Sequence, residues 1–205
     1  MNKNDRKRKT KNPCEKCFLH RNLCVCEFIP QLDLRTRLCL VVHYKELKRT
    51  TNTGRLAVES LVNSEMRIRG KGTQALDLSD LLNEKYQTWM FYPSTDAQEL
   101  TSSLIAQDPR PVQLIVPDGN WRQASKVHAR HPELVSVPRV KISTPNHASA
   151  HLRTETTDEG MATLEAIAKA MAIIEGEATA APLAKLFEMK LNRTLQGRGV
   201  KLPSP

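Results

Sequence analysis

Residues 115–127 read IVPDGNWRQASKV. The apolar run Leu114-Ile115-Val116 stops at Pro117, Asp118, Gly119 and Asn120 follow, and Trp121 opens a polar stretch with helical spacing. This is the pattern of a buried strand, a turn and a helix. A turn needs only Asp, Gly or Asn. It does not need one of the two tryptophans of a chain with 4% aromatic residues. Asp118 and Trp121 are therefore candidate functional residues at the carboxyl end of a strand.

The same alternation extends in both directions. TRLCLVVHY predicts a strand over Leu38–Tyr44, followed by a loop and a helix from about Asn52, where Leu56, Ala57, Leu61 and Val62 recur at helical spacing. GKGTQALDLSDLLNE predicts a loop and a short helix, and YQTWMFYP a second strand stopped by Pro93. VQLIVP is a third strand stopped by Pro117, WRQASKVHARHPEL a helix ending before Pro132, and VPRVKIS a fourth strand. A polar loop, TPNHASAHLRTETTDEG, leads to two closing helices, the second expected to carry Pro182 in its first turn. Strands alternating with helices predict an α/β fold, a mostly parallel sheet with helices on both faces. Ligands in such folds bind beyond the carboxyl ends of the strands. The loops HYKELKRTTNT, YPSTDA and PDGNW leave strands at that edge, and the polar loop before Met161 is a fourth candidate wall. Neither G-x-G-x-x-G nor G-x-x-x-x-G-K-[ST] occurs, which argues against a dinucleotide or nucleoside triphosphate site.

Four of the five cysteines, Cys14, Cys17, Cys24 and Cys26, fall in CEKCFLHRNLCVC. In a reducing compartment such density reads as a metal site, and four thiolates satisfy tetrahedral zinc. An iron–sulfur cluster and metal-free thiols are the alternatives, and His20 inside the loop could replace one cysteine. Cys39 reads as a buried free thiol. Residues 1–30 thus form a basic tail and a zinc knuckle, and residues 31–205 the main domain. The formal net charge is +9, with Lys3, Arg6, Lys7, Arg8, Lys9 and Lys11 opposed only by Asp5 in the first twelve residues. A polyanionic partner, nucleic acid above all, is expected, with solubilising tails as the alternative. No apolar run has the length of a membrane span, and the basic N-terminus lacks the apolar core of a secretory signal, so a cytoplasmic protein is expected.

The knuckle together with NTGRLA (52–57), YPS (92–94), PDGNWRQA (117–124) and LRTETTDEGMATLEA (152–166) resembles the DTW domain family over nearly the whole chain. One position departs from the family's Asp-x-Thr-Trp motif: Asn120 stands where the family has threonine. The resemblance implies a SPOUT-related fold with a C-terminal trefoil knot. It also implies transfer of the 3-amino-3-carboxypropyl group of S-adenosylmethionine to N3 of a tRNA uridine, releasing methylthioadenosine. Asp118 is then the candidate general base, with a grip on the substrate ammonium or a helix N-cap as alternatives. Trp121 offers an indole face to a sulfonium. Pro93, Ser94, Gly119, Asn120, Arg153, Thr163, Leu164 and Glu165 are the remaining candidates for holding S-adenosylmethionine. Arg49, Asn52 and Thr53 join the tail as candidate RNA contacts, with S-adenosylmethionine contact or loop scaffolding as alternatives. The pair His128 and His131 reads as surface rather than metal-binding. The rival functions are a SPOUT-type RNA methyltransferase and a non-catalytic zinc-ribbon RNA-binding protein.

Overall fold

The computed structural model describes residues 10–72, 75–143 and 161–200. Its strands are β1 (Arg37–His43), β2 (Ser64–Arg69), β3 (Gln87–Phe91), β4 (Gln98–Glu99), β5 (Val112–Asp118) and β6 (Arg139–Lys141). They form one sheet in the order β2-β1-β5-β3-β6-β4, every neighbouring pair parallel. The helices are α1 (Gly54–Ser60), α2 (Ser102–Ile105), α3 (Trp121–Ala124), α4 (Lys126–Arg130), α5 (Thr163–Glu175) and α6 (Glu177–Gly197).

Both faces of the sheet are covered, as the continuous apolar runs of β1 and β5 require. Leu38, Leu40, Val42, Leu114 and Val116 point into one cluster with Leu56 of α1, Ile167 and Met171 of α5, and Leu183 and Phe187 of α6. The alternate residues Cys39, Val41 and Ile115 point the other way, onto Val127 of α4 and the turn residues Leu81 and Leu134. Cys39 is the buried free thiol expected, and burial pushes it up to about 12.

Three expectations are corrected. The strand over β5 does not stop at Pro117 but runs through it to Asp118, because pairing with β3 ends at Ile115 and the proline lies where only β1 is alongside. The helix expected to include Leu61 and Val62 ends at Ser60, and SEMRIR just beyond it is β2, an edge strand whose Glu65 and Arg67 pair with Arg37 and Asp80. The last helix begins at Glu177, so Pro182 lies inside it. The trefoil knot implied by the resemblance falls in the C-terminal part of the chain, of which residues 144–160 and 201–205 lie outside the described residues.

The loop leaving β1 runs to α1 on one face, and the turn leaving its neighbour β5 runs to α4 on the other. The chain diverges between these two adjacent strands, which opens a crevice at their carboxyl ends. Asp118 is the last residue of β5, opposite Val42.

Candidate functional site

Asp118 is only 4% exposed, and two described residues donate to its carboxylate. Asn52 Nδ2 reaches Oδ2 at 2.6 Å, and Thr163 Oγ1 reaches Oδ1 at 2.6 Å. The backbone N–H of Leu164 donates to Thr53 Oγ1 at 3.1 Å. The loop after β1, the end of β5 and the first turn of α5 are thereby fastened at one point. Gly54 permits this approach: a Cβ there would stand 3.1 Å from Leu40 and Thr163 side-chain carbons and 3.2 Å from Asp118 Oδ2. Asn52 and Thr53 are buried and turned inward, a placement that fits scaffolding of the crevice, among the alternatives left open for them, better than a place on its outer rim. Arg49 is half-exposed, with Nε 3.3 Å from the buried Glu46 carboxylate.

The turn after Asp118 is a capping box. Gln123 N donates to Asn120 Oδ1 at 2.9 Å, and Asn120 N donates to Gln123 Oε1 at 2.8 Å. Asn120, not Asp118, is therefore the N-cap of α3. This accounts for asparagine where the family has threonine, since both cap a helix through a side-chain oxygen. Gly119 is required by crowding, because a Cβ there would meet Gln123 Cβ at 2.9 Å. Trp121 occupies the first position of α3.

Glu165, in the first turn of α5, is 6% exposed. Lys169 Nζ lies 3.1 Å from its Oε1, while Oε2 is buried and has no hydrogen-bond partner among the described residues. An unpartnered buried carboxylate oxygen suits a cationic ligand group. Leu164 is fully buried in the core, and Thr163 serves Asp118. Pro93 and Ser94 follow β3, the other neighbour of β5, on the same sheet edge, with Pro93 exposed. Arg153 and the tail residues Lys3, Arg6, Lys7, Arg8 and Lys9 lie outside the described residues. Of the histidine pair expected at the surface, His131 is buried, its Nδ1 3.2 Å from Glu133 Oε1, because the chain turns inward at Pro132 to seat Leu134 in the core.

The four cysteines of the knuckle converge, every Sγ within 4.8 Å of the others. Three of the separations are 3.5, 3.6 and 3.8 Å. A tetrahedral ion with metal–sulfur bonds of about 2.3 Å sets its sulfurs about 3.8 Å apart, so the cluster fits one ion such as zinc. His20 lies outside this set, with Nδ1 accepting from Asn22 N at 3.2 Å. Burial pushes the thiols of Cys24 and Cys26 up. At Cys14 the backbone N–H donors of Cys17 and Lys16 outweigh burial and bring the thiol down to about 6. The knuckle is tied to α6: Lys190, fully buried, donates from Nζ to Cys17 O at 2.7 Å, and Leu19 and Val25 join the same core as Phe187.

A family model of the DTW domain matches residues 11–195, a span that takes in the knuckle, the capped turn after β5 and the first turn of α5. The chain belongs to the DTW domain family. Among curated proteins it is similar to tRNA-uridine aminocarboxypropyltransferase 2 of Drosophila melanogaster, 28% identical over 173 residues, covering 80% of this chain and 67% of the fly protein. The proteins of the same name from Macaca fascicularis and Mus musculus are each 24% identical, over 82% and 79% of this chain. This DTW chain spans 58% and 56% of those two relatives. No solved structure gave a significant match. Among the described residues no helix is long and apolar enough to cross a membrane.

Asn52 and Thr163 are among the residues the sequence singled out, but their pairing with Asp118 and the role of Gln123 escaped the sequence reading. The capping box was open to it as Asn-x-x-Gln at the start of a helix. The pairing of Asp118 with residues 66 and 45 positions away was not.

Proposed function

We propose that this DTW protein transfers the 3-amino-3-carboxypropyl group of S-adenosylmethionine to N3 of a uridine in tRNA, with methylthioadenosine as the second product. The observation that carries the reading is the fastening of three elements at Asp118, at the carboxyl edge of a parallel sheet, in a chain of this family. S-adenosylmethionine would supply an electrophilic γ-carbon beside a sulfonium, so the protein's task is to orient that carbon rather than the methyl. Glu165 Oε2, buried and without a partner among the described residues, suits the ammonium of the substrate arm. Arg153 suits its carboxylate, and the indole of Trp121 suits the sulfonium. Pro93, Ser94 and Gly119 supply wall and backbone, and Leu164, buried in the core, ties the first turn of α5 to Thr53.

Loss of the N3 proton favours a base. Both oxygens of Asp118 already accept internal donors. Its first role is therefore to organise the crevice, and acting as base would require one oxygen to exchange its donor for the imide proton. The knuckle holds one structural zinc, whose four thiolates leave no open position for catalysis. Arg49 and the basic tail contact RNA, a SPOUT-type knot completes the domain, and the reduced thiols suit the cytoplasm.

The test is incubation of the purified protein with S-adenosylmethionine and unmodified tRNA. Methylthioadenosine and a uridine heavier by the aminocarboxypropyl group, read by nucleoside mass spectrometry, are expected. S-adenosylhomocysteine in place of methylthioadenosine, or no product, overturns the reading.

A further inference from the structure

The turn after β5 borders a second feature. A cleft of about 320 Å³ is lined by His43, Arg69, Arg122, Lys126 and Arg130, together with Asn120 and Gln123. Among the described residues no carboxylate lines it. Arg69, at the end of β2, is 6% exposed and donates from Nη1 to the Gln123 carbonyl at 2.7 Å. Among the described residues neither it nor Arg122, Lys126 or Arg130 forms an ion pair. The fold treats other arginines differently: Arg37, Arg67 and Arg139 meet carboxylates at 2.6, 2.5 and 2.6 Å. A buried guanidinium without a counter-charge is costly. Here the cost rises with a second cation, since Arg130 acts with burial to hold Arg69 below the usual arginine range.

We propose that this cleft is a docking site for the phosphodiester backbone of the RNA substrate. The proposal rests on the reading of the protein as a tRNA-modifying enzyme. Three observations favour a chain of phosphates over a single small anion. Arg122, Lys126 and Arg130 are all exposed. Their spacing of four residues sets Lys126 and Arg130 on one face of α4 and continues the row back to α3, leading away from the turn. Like charges four apart weaken a helix by a few tenths of a kcal/mol, a cost that a polyanion along the row removes.

The cleft also stands in the right place. Arg69 pairs in register with His43, and Val42 with Asp118. With strands about 4.8 Å apart, the floor of the cleft lies within about 10 Å of the Asp118 backbone. Asp118 faces α1 and α5 while the cleft opens on the α4 side, so an RNA backbone seated there presents a nucleotide across the turn. Gln123 joins the two: its Oε1 caps Asn120, its Nε2 lies 3.3 Å from His43 Nδ1, and its carbonyl takes Arg69.

The test replaces Arg122, Lys126 and Arg130 by Gln in the full chain, singly and together, and measures tRNA affinity against salt. Each neutralised phosphate contributes about 0.7–0.9 to the slope of log affinity against log salt. The triple variant is expected to flatten that slope by about two to three and to weaken binding at about 0.1 M salt by 10-fold or more. Each single variant should remove about one contact. Affinity for S-adenosylmethionine should be kept. A control exchanging the exposed Arg35, Lys85 and Lys185 for Gln should leave the slope near that of the unaltered protein. An unchanged slope in the triple variant overturns the proposal. So does loss of S-adenosylmethionine affinity in its place, or saturable competition by inorganic phosphate beyond its ionic strength, which marks a single-anion pocket. The two readings fail separately. Methylthioadenosine formation with an unchanged slope refutes only the docking site, and a flattened slope in a protein that forms no product refutes only the proposed reaction.

Discussion

Replacing Asp118 by alanine should destabilise the whole domain, not merely the crevice. The carboxylate is 4% exposed and accepts from Asn52 Nδ2 and Thr163 Oγ1, both at 2.6 Å. A hydrogen bond to a charged group contributes about 1.5–3 kcal/mol, so removing the acceptor of both costs about 3–6 kcal/mol. At about 2–4 °C per kcal/mol for a domain of this size, the midpoint should fall by roughly 6–24 °C. Asparagine should be milder. Its carbonyl can keep Asn52, and its amide can donate to the Thr163 hydroxyl, which accepts as well as donates. Toward these two partners the charge assistance is what is lost, about 1–2 kcal/mol. The order of melting midpoints by circular dichroism should be unaltered protein, Asp118→Asn, then Asp118→Ala. Asp118→Asn is consequently the folded variant in which to follow chemistry. An organising role predicts a single-turnover rate at saturation that keeps its pH profile, whereas a base predicts loss of about a hundred- to ten-thousand-fold together with the limb that the base produced. An alanine variant melting with the unaltered protein would refute the fastening itself.

Cys17→Ser should lose the bound ion and loosen the knuckle from α6, and elemental analysis should fall from about one zinc per chain to far less; full metal content in the variant would contradict a four-thiolate site. Cys39, held up to about 12 by burial, should resist alkylation in the native protein at neutral pH, while the knuckle thiols become reactive once a chelator is added; early labelling of Cys39 by mass spectrometry would contradict its burial. His43 is lowered by burial first and then by Arg69, Lys45 and Arg130. Below about pH 6.5 the unfolded chain then binds a proton that the folded one resists, so stability should fall as pH drops from 6.5 toward the depressed folded value, and His43→Gln should flatten that fall in a series of denaturation midpoints. Deleting residues 1–11 should weaken tRNA binding and flatten its salt slope while S-adenosylmethionine affinity is kept; an unchanged slope would make the tail a solubiliser.

The parts legible in the sequence are those whose physics is local. LCLVV and QLIV announce strands because a parallel strand buried on both faces must be apolar throughout. The knuckle is legible because two-residue spacing brings thiolates to one ion, and four sulfurs do converge. SEMRIR was illegible as a strand because an edge strand buries little and uses its charges on its neighbours. The early start of α6 was hidden by Pro182, which ordinarily marks a first turn. At the site, the turn after β5 stood out by its composition. Asn52 and Thr163 were candidates too, but their pairing with Asp118 was not legible: they meet it only because α1 and α5 pack on the same face of the sheet, and no spacing along the chain encodes that.

The turn itself explains why a carboxylate, a glycine, a cap and a tryptophan follow one another so closely. Asp118 ends a strand and belongs to the α1–α5 face, whereas Gln123, two residues past the tryptophan, belongs to the α4 face through Arg69 and His43. The chain must cross from one face of the sheet to the other within a few residues. It does so by leaving Gly119 without a side chain where Gln123 crowds it and by closing the reciprocal bonds between Asn120 and Gln123. A crossing that tight fixes the position of Trp121 from both sides. The part of the site least tolerant of change should therefore be this spacing rather than the identity of the cap, and an asparagine in place of the family's threonine leaves the spacing intact.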